Sequence, residues 1–223
     1  GQEPPALLRE RCRGGVMKVL VITGNPKQSG ALAALTEEAA RGAVENGAEV
    51  EWIRLMDRDI GFCRFCLKCQ ADRESPIAPC VQDDDMTEIL LKIKEADGFI
   101  MASPLSSAHA NAVMKMFIER STWPLWRVRK GILGKLSFPE TRLDDKQRYA
   151  VTVTTAGAIP ALLGFIFNGA AREMGSFAKW NFNSRIVGRL FVGLLYLHGL
   201  SKRHMSRAYE LGKALSDAIR TAA

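Results

Sequence analysis

Met17-Lys-Val-Leu-Val-Ile-Thr23 runs straight into Gly24-Asn25-Pro26-Lys27-Gln28-Ser29-Gly30, and small apolar residues at helical spacing follow from Ala31 to Glu45. An unbroken β-rich apolar run reads as a strand buried on both faces. The turn cluster behind it and the periodic segment after that predict strand, tight loop and helix, with Asn46-Gly47 as the stop. The same rhythm continues outward. Strands are expected over Glu49 to Met56, Asp97 to Ser103 (halted by Pro104) and Tyr149 to Thr155, with a fifth inside Ser176 to Val187. Helices are expected from Asp83 or Asp84 to Glu95, from about His109 to Ser121, over 160–174, and over an amphipathic 201–220. Residues 122–147, with Trp123, Trp126 and the basic Arg127, Arg129, Lys130 and Lys135, read as loop.

Alternating strands and helices predict an α/β fold, a three-layer, doubly wound, five-stranded parallel sheet. The first turn lacks G-x-G-x-x-G, which disfavours a dinucleotide-binding sheet and favours the flavodoxin-like order 2-1-3-4-5. The expected organisation is a leader over 1–16 and one domain over 17–223. That domain carries an inserted cysteine loop at 57–82 and apolar C-terminal helices.

With 223 residues, 47% hydrophobic and 25% charged, the chain is long enough for a proper core and is not of disordered type. A net charge of +7 favours anionic ligands. The basic residues are scattered rather than striped among aromatics, so phosphate-bearing cofactors are expected and nucleic acid is not. No apolar run approaches about twenty residues, so no membrane span is expected, and Leu190 to Leu200 is short and interrupted by His198. The start of the chain, with Glu3 beside prolines, lacks a signal-peptide core. Five cysteines, four of them between Cys63 and Cys80, suit a reducing cytoplasm better than a disulfide framework.

In such a sheet ligands sit beyond the carboxyl ends of the strands, at the switch point between the first and third. Gly24 to Gly30 opens a helix whose free amides and positive dipole end suit a phosphate, with Lys27 adding charge and Asn25, Gln28 and Ser29 adding hydrogen bonds. Without a ligand, the same residues make an ordinary helix entry. Ser103-Pro104-Leu105-Ser106-Ser107-Ala108-His109 is either a plain strand-to-helix connection or a place for a flat ring against small residues. Cys63-Arg-Phe-Cys66-Leu-Lys-Cys69, with Cys80 and then Asp83-Asp84-Asp85-Met86, is a soft-thiolate set. It suits a 4Fe–4S cluster or zinc, or leaves unligated thiols, and Cys12 is incidental. Pro76 and Pro79 are the residues expected to fold Cys80 back. Asp83 to Asp85 read as a helix cap, and His109, His198 and His204 lack ligand spacing. No G-x-S-x-G and no H-E-x-x-H points to hydrolysis.

The ordered combination resembles the flavodoxin-like NAD(P)H-dependent FMN reductases, and within them the iron–sulfur flavoproteins. It consists of Val21-Ile-Thr-Gly-Asn-Pro-Lys27, the four cysteines with Asp84-Asp85-Met86, Ser103-Pro104, and Met114-Lys-Met-Phe-Ile-Glu-Arg120. The likeness covers about 17–157 and fades beyond 160. It implies FMN with its phosphate at 24–30 and its ring along Pro104, Leu105, Ser106 and Ser107 and near Thr155, Ala156 and Gly157. It further implies NAD(P)H as co-substrate, a quinone, small-molecule or protein acceptor, a possible 4Fe–4S cluster on Cys63, Cys66, Cys69 and Cys80, and a homodimer or homotetramer. Three departures stand out: Asn25 where the family carries Ser, Ala31-Leu32 where it carries Asn-Thr, and Ser106-Ser107 where an aromatic is usual. The gap from Cys69 to Cys80 is also longer than is common in the cluster-bearing branch.

Overall fold

β1, Met17–Thr23, is buried almost throughout because both its faces are covered, in a computed structural model that describes residues 16–130 and 137–222. Its alternate side chains go to opposite layers. Leu20 and Ile22 join Phe99 and Met101 in one core, and Val19 and Val21 join Ile100, Val151 and Val153 in the other. α1 (Ala31–Glu45) follows, then β2 (Ala48–Arg54), α2 (Met86–Glu95), β3 (Gly98–Ser106) and the two-residue β4 (His109–Ala110). After them come α3 (Ala112–Leu125), β5 (Trp126–Lys130), β6 (Ser137–Thr141) and β7 (Arg148–Thr155). The chain continues through α4 (Gly164–Phe167), α5 (Gly169–Asn181), β8 (Ser184–Val192), α6 (Leu195–His198) and α7 (Lys202–Arg220).

The main sheet runs β2-β1-β3-β7-β8, all neighbours parallel, which is the expected flavodoxin-like order. α2, α3 and α5 cover one face and α1 with α7 the other. On that second face the two helices touch backbone to backbone: a Cβ at Gly212 would strike the carbonyl of Ala39, and one at Gly42 the carbonyl of Tyr209. Tyr209 and Arg41 add a cation–π contact at 4.5 Å, and the hydroxyl of Ser216 donates to Ala43.

Several expected boundaries move. β2 ends at Arg54 and gives way to a short 3-10 turn, Leu55–Asp57. β3 runs through Pro104 to Ser106, because its last residues pair antiparallel with β4. His109 therefore sits in a hairpin arm, and the helix expected to start there begins at Ala112, capped by Asn111. The helix expected over 160–174 is a 3-10 turn (Ala161–Leu163) and α4, then a separate α5 reaching Asn181. The fifth strand accordingly lies at Ser184–Val192 rather than within 176–187. The stretch read as loop, 122–147, holds the end of α3 and an antiparallel β5–β6 pair. Lys135, Cys12 and most of the expected leader lie outside the described residues.

Candidate functional site

The carboxyl ends of β1, β3 and β7 come side by side, since Thr23 registers with Ala102 and Pro104 with Thr155. That alignment brings the three loops marked out in the sequence to one rim. In the first, the Gly24 amide donates to Ala102 at 2.8 Å, the Asn25 amide to the Thr23 hydroxyl at 3.1 Å, and the Lys27 amide to Asn25 Oδ1 at 3.3 Å. Pro26, Lys27, Gln28, Ser29 and Gly30 are exposed. Gly30 takes φ 101°, and no side chain caps α1, so the first-turn amides are left for an outside acceptor. The chain holds a helix N-terminus open where polar donors converge, as an anion requires.

Asn111 joins the first two loops. Its Nδ2 donates to the Gly24 carbonyl, while its amide donates to Ser103 Oγ at 3.1 Å. Its Oδ1 accepts from Ser103 Oγ at 3.2 Å and caps α3 through the Met114 amide at 3.4 Å. Gly24 permits this approach, because a Cβ there would lie 2.7 Å from Asn111 Oδ1. Ser103, marked in the sequence as a site residue, is fully buried and engaged with Asn111, so it braces the rim. Asn111 itself was missed, although a cap residue ahead of Met114-Lys115-Met116 is a legible signal.

The ring loop closes as a two-residue hairpin turn in which Ser107 and Ala108 both have positive φ, 48° and 66°. Such a turn favours Asn-Gly, because a Cβ in the left-handed region costs about 1–2 kcal/mol. Ala108→Gly should therefore stabilise the protein by about 0.5–1 kcal/mol after the larger unfolded-state entropy of glycine. A urea melt reads this, and a lowered midpoint would contradict the strained turn. Pro104 and Leu105 are half-buried, whereas Ser106 and Ser107 are exposed.

In the third loop Thr155 and Ala156 are buried, and 156–159 is tied to α6 by Leu195 N to Ala156 O at 3.3 Å and Tyr196 N to Gly157 O at 3.1 Å. The Tyr196 ring lies against Gly157 while remaining 88% exposed. This tyrosine adds an aromatic surface to the rim.

The cysteine segment is clamped by a buried ion pair. Arg120, 2% exposed, meets Asp84 (side chain 7% exposed) through both guanidinium nitrogens, at 2.5 and 2.9 Å. Arg120 also donates to the Gly61 carbonyl at 2.7 Å and to Cys80 Sγ at 3.7 Å, and Asp84 accepts from the Gly61 amide at 3.1 Å. One pair thus grips the start and the end of the loop and holds Cys80 back. Burial alone would raise the Asp84 pKa, but the bonds from Arg120, Gly61 and Met86 outweigh it and hold the carboxyl below its usual range. For Arg120 burial likewise opposes the charge, and hydrogen bonding to Asp84 prevails and raises its pKa. Arg142 makes a second clamp, donating to the carbonyls of Trp126, Ser75 and Asp72. Gln70 Nε2 bonds Trp123 and Trp126, and Phe65 packs edge-on against Trp123 at 6.1 Å.

Within this frame Cys66 is exposed, Cys63 and Cys80 half-buried, and Cys69 buried. Phe65 and Leu67, on either side of Cys66, have positive φ and turn the chain around it. Burial first, then the charges of Cys80 and Cys66, push the Cys69 thiol up. Among the described residues no three His, Cys, Asp or Glu side chains converge on a point that could hold a metal ion. Zinc and a 4Fe–4S cluster alike would need the thiolates drawn together. Also among the described residues, no helix is long and apolar enough to cross a membrane.

Comparison with known proteins matches residues 17–159 to the family described as NADPH-dependent FMN reductase. An iron-sulfur flavoprotein of Methanocaldococcus jannaschii is 39% identical over 105 residues, 47% of this chain and 52% of that protein. One from Archaeoglobus fulgidus is 35% identical over 104 residues, 47% of this chain and 45% of that protein. The matches thus span about half the length of these curated relatives. Among solved structures, an NAD(P)H:quinone oxidoreductase from Methanothermobacter marburgensis superposes with a TM-score of 0.66 at 18% identity, over 89% of this chain and 98% of that one. A flavone reductase gives 0.64 at 20% identity, over 92% and 63%. At such identities the likeness concerns the fold.

Proposed function

The chain belongs to the NADPH-dependent FMN reductase family, and from that premise we propose that it is an FMN-dependent oxidoreductase carrying electrons from NAD(P)H to a quinone, another small molecule or a protein. The observation that carries this reading is the uncapped N-terminus of α1 behind the exposed 24–30 loop, locked to the β3 loop by Asn111. Gly24, Asn25, Pro26, Lys27, Gln28, Ser29 and Gly30 would hold the phosphate. Pro104, Leu105, Ser106 and Ser107, with Thr155, Ala156 and Gly157, would position the ring. FMN supplies hydride acceptance and one-electron release when bound. The residues bind and orient, and no side chain is needed as acid or base.

In the same reading Cys63, Cys66, Cys69 and Cys80 hold a 4Fe–4S cluster. The naming of the relatives as iron-sulfur flavoproteins, and the bond by which Arg120 holds Cys80 beside the start of the cysteine segment, support it. Metal binding would overcome the raised Cys69 pKa, since ligation deprotonates a thiol. Leu162, Phe165, Tyr196 and Leu197 form an exposed apolar edge beside the third loop, which supports self-association as a homodimer or homotetramer.

The test is anaerobic purification followed by titration with FMN. Quenched flavin fluorescence, a raised melting temperature, and iron with acid-labile sulfide in the same sample are expected. Neither quenching nor a thermal shift would overturn the flavin reading, and zinc without sulfide would overturn the cluster. Bleaching of bound flavin by NADPH with no partner present separates a reductase from a carrier lacking nicotinamide activity.

A further inference from the structure

At the other end of the sheet, a groove of about 710 Å³ opens between the β5–β6 pair, the end of α5 and the start of β8. It begins where β7 and β8 begin, at Gln147 and Ser184, whereas the flavin loops lie beyond the ends of β1, β3 and β7. Its volume is within the range of small-molecule sites. Two indoles line it. Trp180 is 61% exposed, and Trp126 is fixed beside it by Nε1 donating to the Trp180 carbonyl at 3.1 Å. An exposed indole beside a second, anchored one is a ready stacking surface.

Lys179, Arg185 and Arg189 also line the groove, and no ion pair joins any of them among the described residues. Lys179 lies 5.0 Å above the Trp180 ring. The acid in the wall, Glu140, is engaged by Arg127 at 2.7 Å. The surrounding chain is just as one-sided: residues 148–209 contain eight Lys or Arg and a single acid, Glu173. That acid is taken up by Lys115 and by the Ala110 amide. Three uncompensated cations around two indoles set a positive potential over an aromatic floor.

We infer that this groove binds a nucleotide, an aromatic base stacked on Trp180 and Trp126 with its phosphates on Arg185, Arg189 and Lys179. Arginine is suited to the phosphate part, because its planar fork bonds two oxygens at once. The site is separate from the flavin rim, so a nicotinamide bound here would not reach the ring. The occupant is a free nucleotide acting as ligand rather than as hydride donor. The groove wall also touches the cysteine segment through Gln70 and the Trp126 carbonyl, so a bound nucleotide presses on the element that carries Cys69.

The experiment is calorimetric titration of FMN-saturated protein with ADP, adenosine and pyrophosphate in parallel. ADP is expected to bind at least about tenfold tighter than either fragment, and more weakly as salt rises. Trp180→Ala and Arg185→Glu/Arg189→Glu should each lower ADP affinity by roughly tenfold or more. The far-UV spectrum and the FMN affinity should remain those of the parent, because these side chains are exposed and away from the rim. Equal binding of pyrophosphate and ADP would overturn the aromatic part and leave a bare anion site. ADP binding unchanged in both variants, or no ADP binding at millimolar concentration, would overturn the proposal.

Discussion

Asp84→Ala is expected to lower the unfolding free energy by about 3–5 kcal/mol, because it strands Arg120 with its charge buried and unpaired. Two further losses follow, the Asp84 contacts to the Gly61 and Met86 amides. Replacing both partners, Arg120→Met with Asp84→Met, should cost less than either single change, since no uncompensated charge remains. A double-mutant cycle in urea makes the comparison. Because the folded pKa of Asp84 lies below its ordinary 3.8, the pair contributes fully above that value. Its contribution is lost as the pH falls through the folded pKa. The parent should therefore lose its advantage over Asp84→Ala in that acidic window and keep it near neutrality. Freed from its clamp, the loop should also expose Cys69 to thiol reagents. An Asp84→Ala protein with parental stability and an unreactive Cys69 would show that the pair does not hold the segment.

Gly24→Val should reduce FMN affinity by roughly 10- to 100-fold, about 1.4–2.8 kcal/mol. The first added carbon already lies 2.7 Å from Asn111 Oδ1 and 3.2 Å from Met114 Cβ, so the loop has to move or Asn111 has to let go. Either response shifts the amides opening α1, and bonds from such donors to a charged phosphate are worth about 1.5–3 kcal/mol each. Asn111→Ala removes the same clamp from the other side and the α3 cap with it, which adds about 1 kcal/mol of lost stability. The two effects on FMN affinity should fall well short of additive, because both break one contact. Fluorescence titration of the single and double variants measures this. Fully additive losses would mean that Gly24 and Asn111 act on the flavin independently.

The central strands were legible because parallel strands covered on both faces are continuous apolar runs, and Met17–Thr23 emerged with its bounds intact. β8 was placed too early for the opposite reason. It is an edge strand, and Arg185, Gly188 and Arg189 break the run that would have marked it. The β5–β6 pair is basic and contains Pro139, so its composition resembles a loop and only its tertiary setting makes it a sheet. The α4–α5 break at Asn168 was hidden in a stretch of uniformly helix-compatible residues, though Asn168 caps α5 through the Ala171 amide at 3.1 Å.

At the site, the loops after β1, β3 and β7 were legible because topology dictates where ligands sit. The residues that bind those loops together were not. Asn111 partners Gly24 at a separation of 87 residues and Arg120 partners Asp84 at 36, and no local pattern reports such distances. Arg120 closes the Met114–Arg120 stretch, whose residues contain nothing that reveals a buried carboxylate partner.

The contact of Ser216 with Ala43 joins positions 173 apart in the chain, and it belongs to the backbone-close crossing that seats α7 on α1. During synthesis the α1 surface that meets α7 therefore waits for a segment 173 residues further along the chain. Loop closure over such a span is slow, and an apolar face waiting that long invites aggregation or chaperone capture.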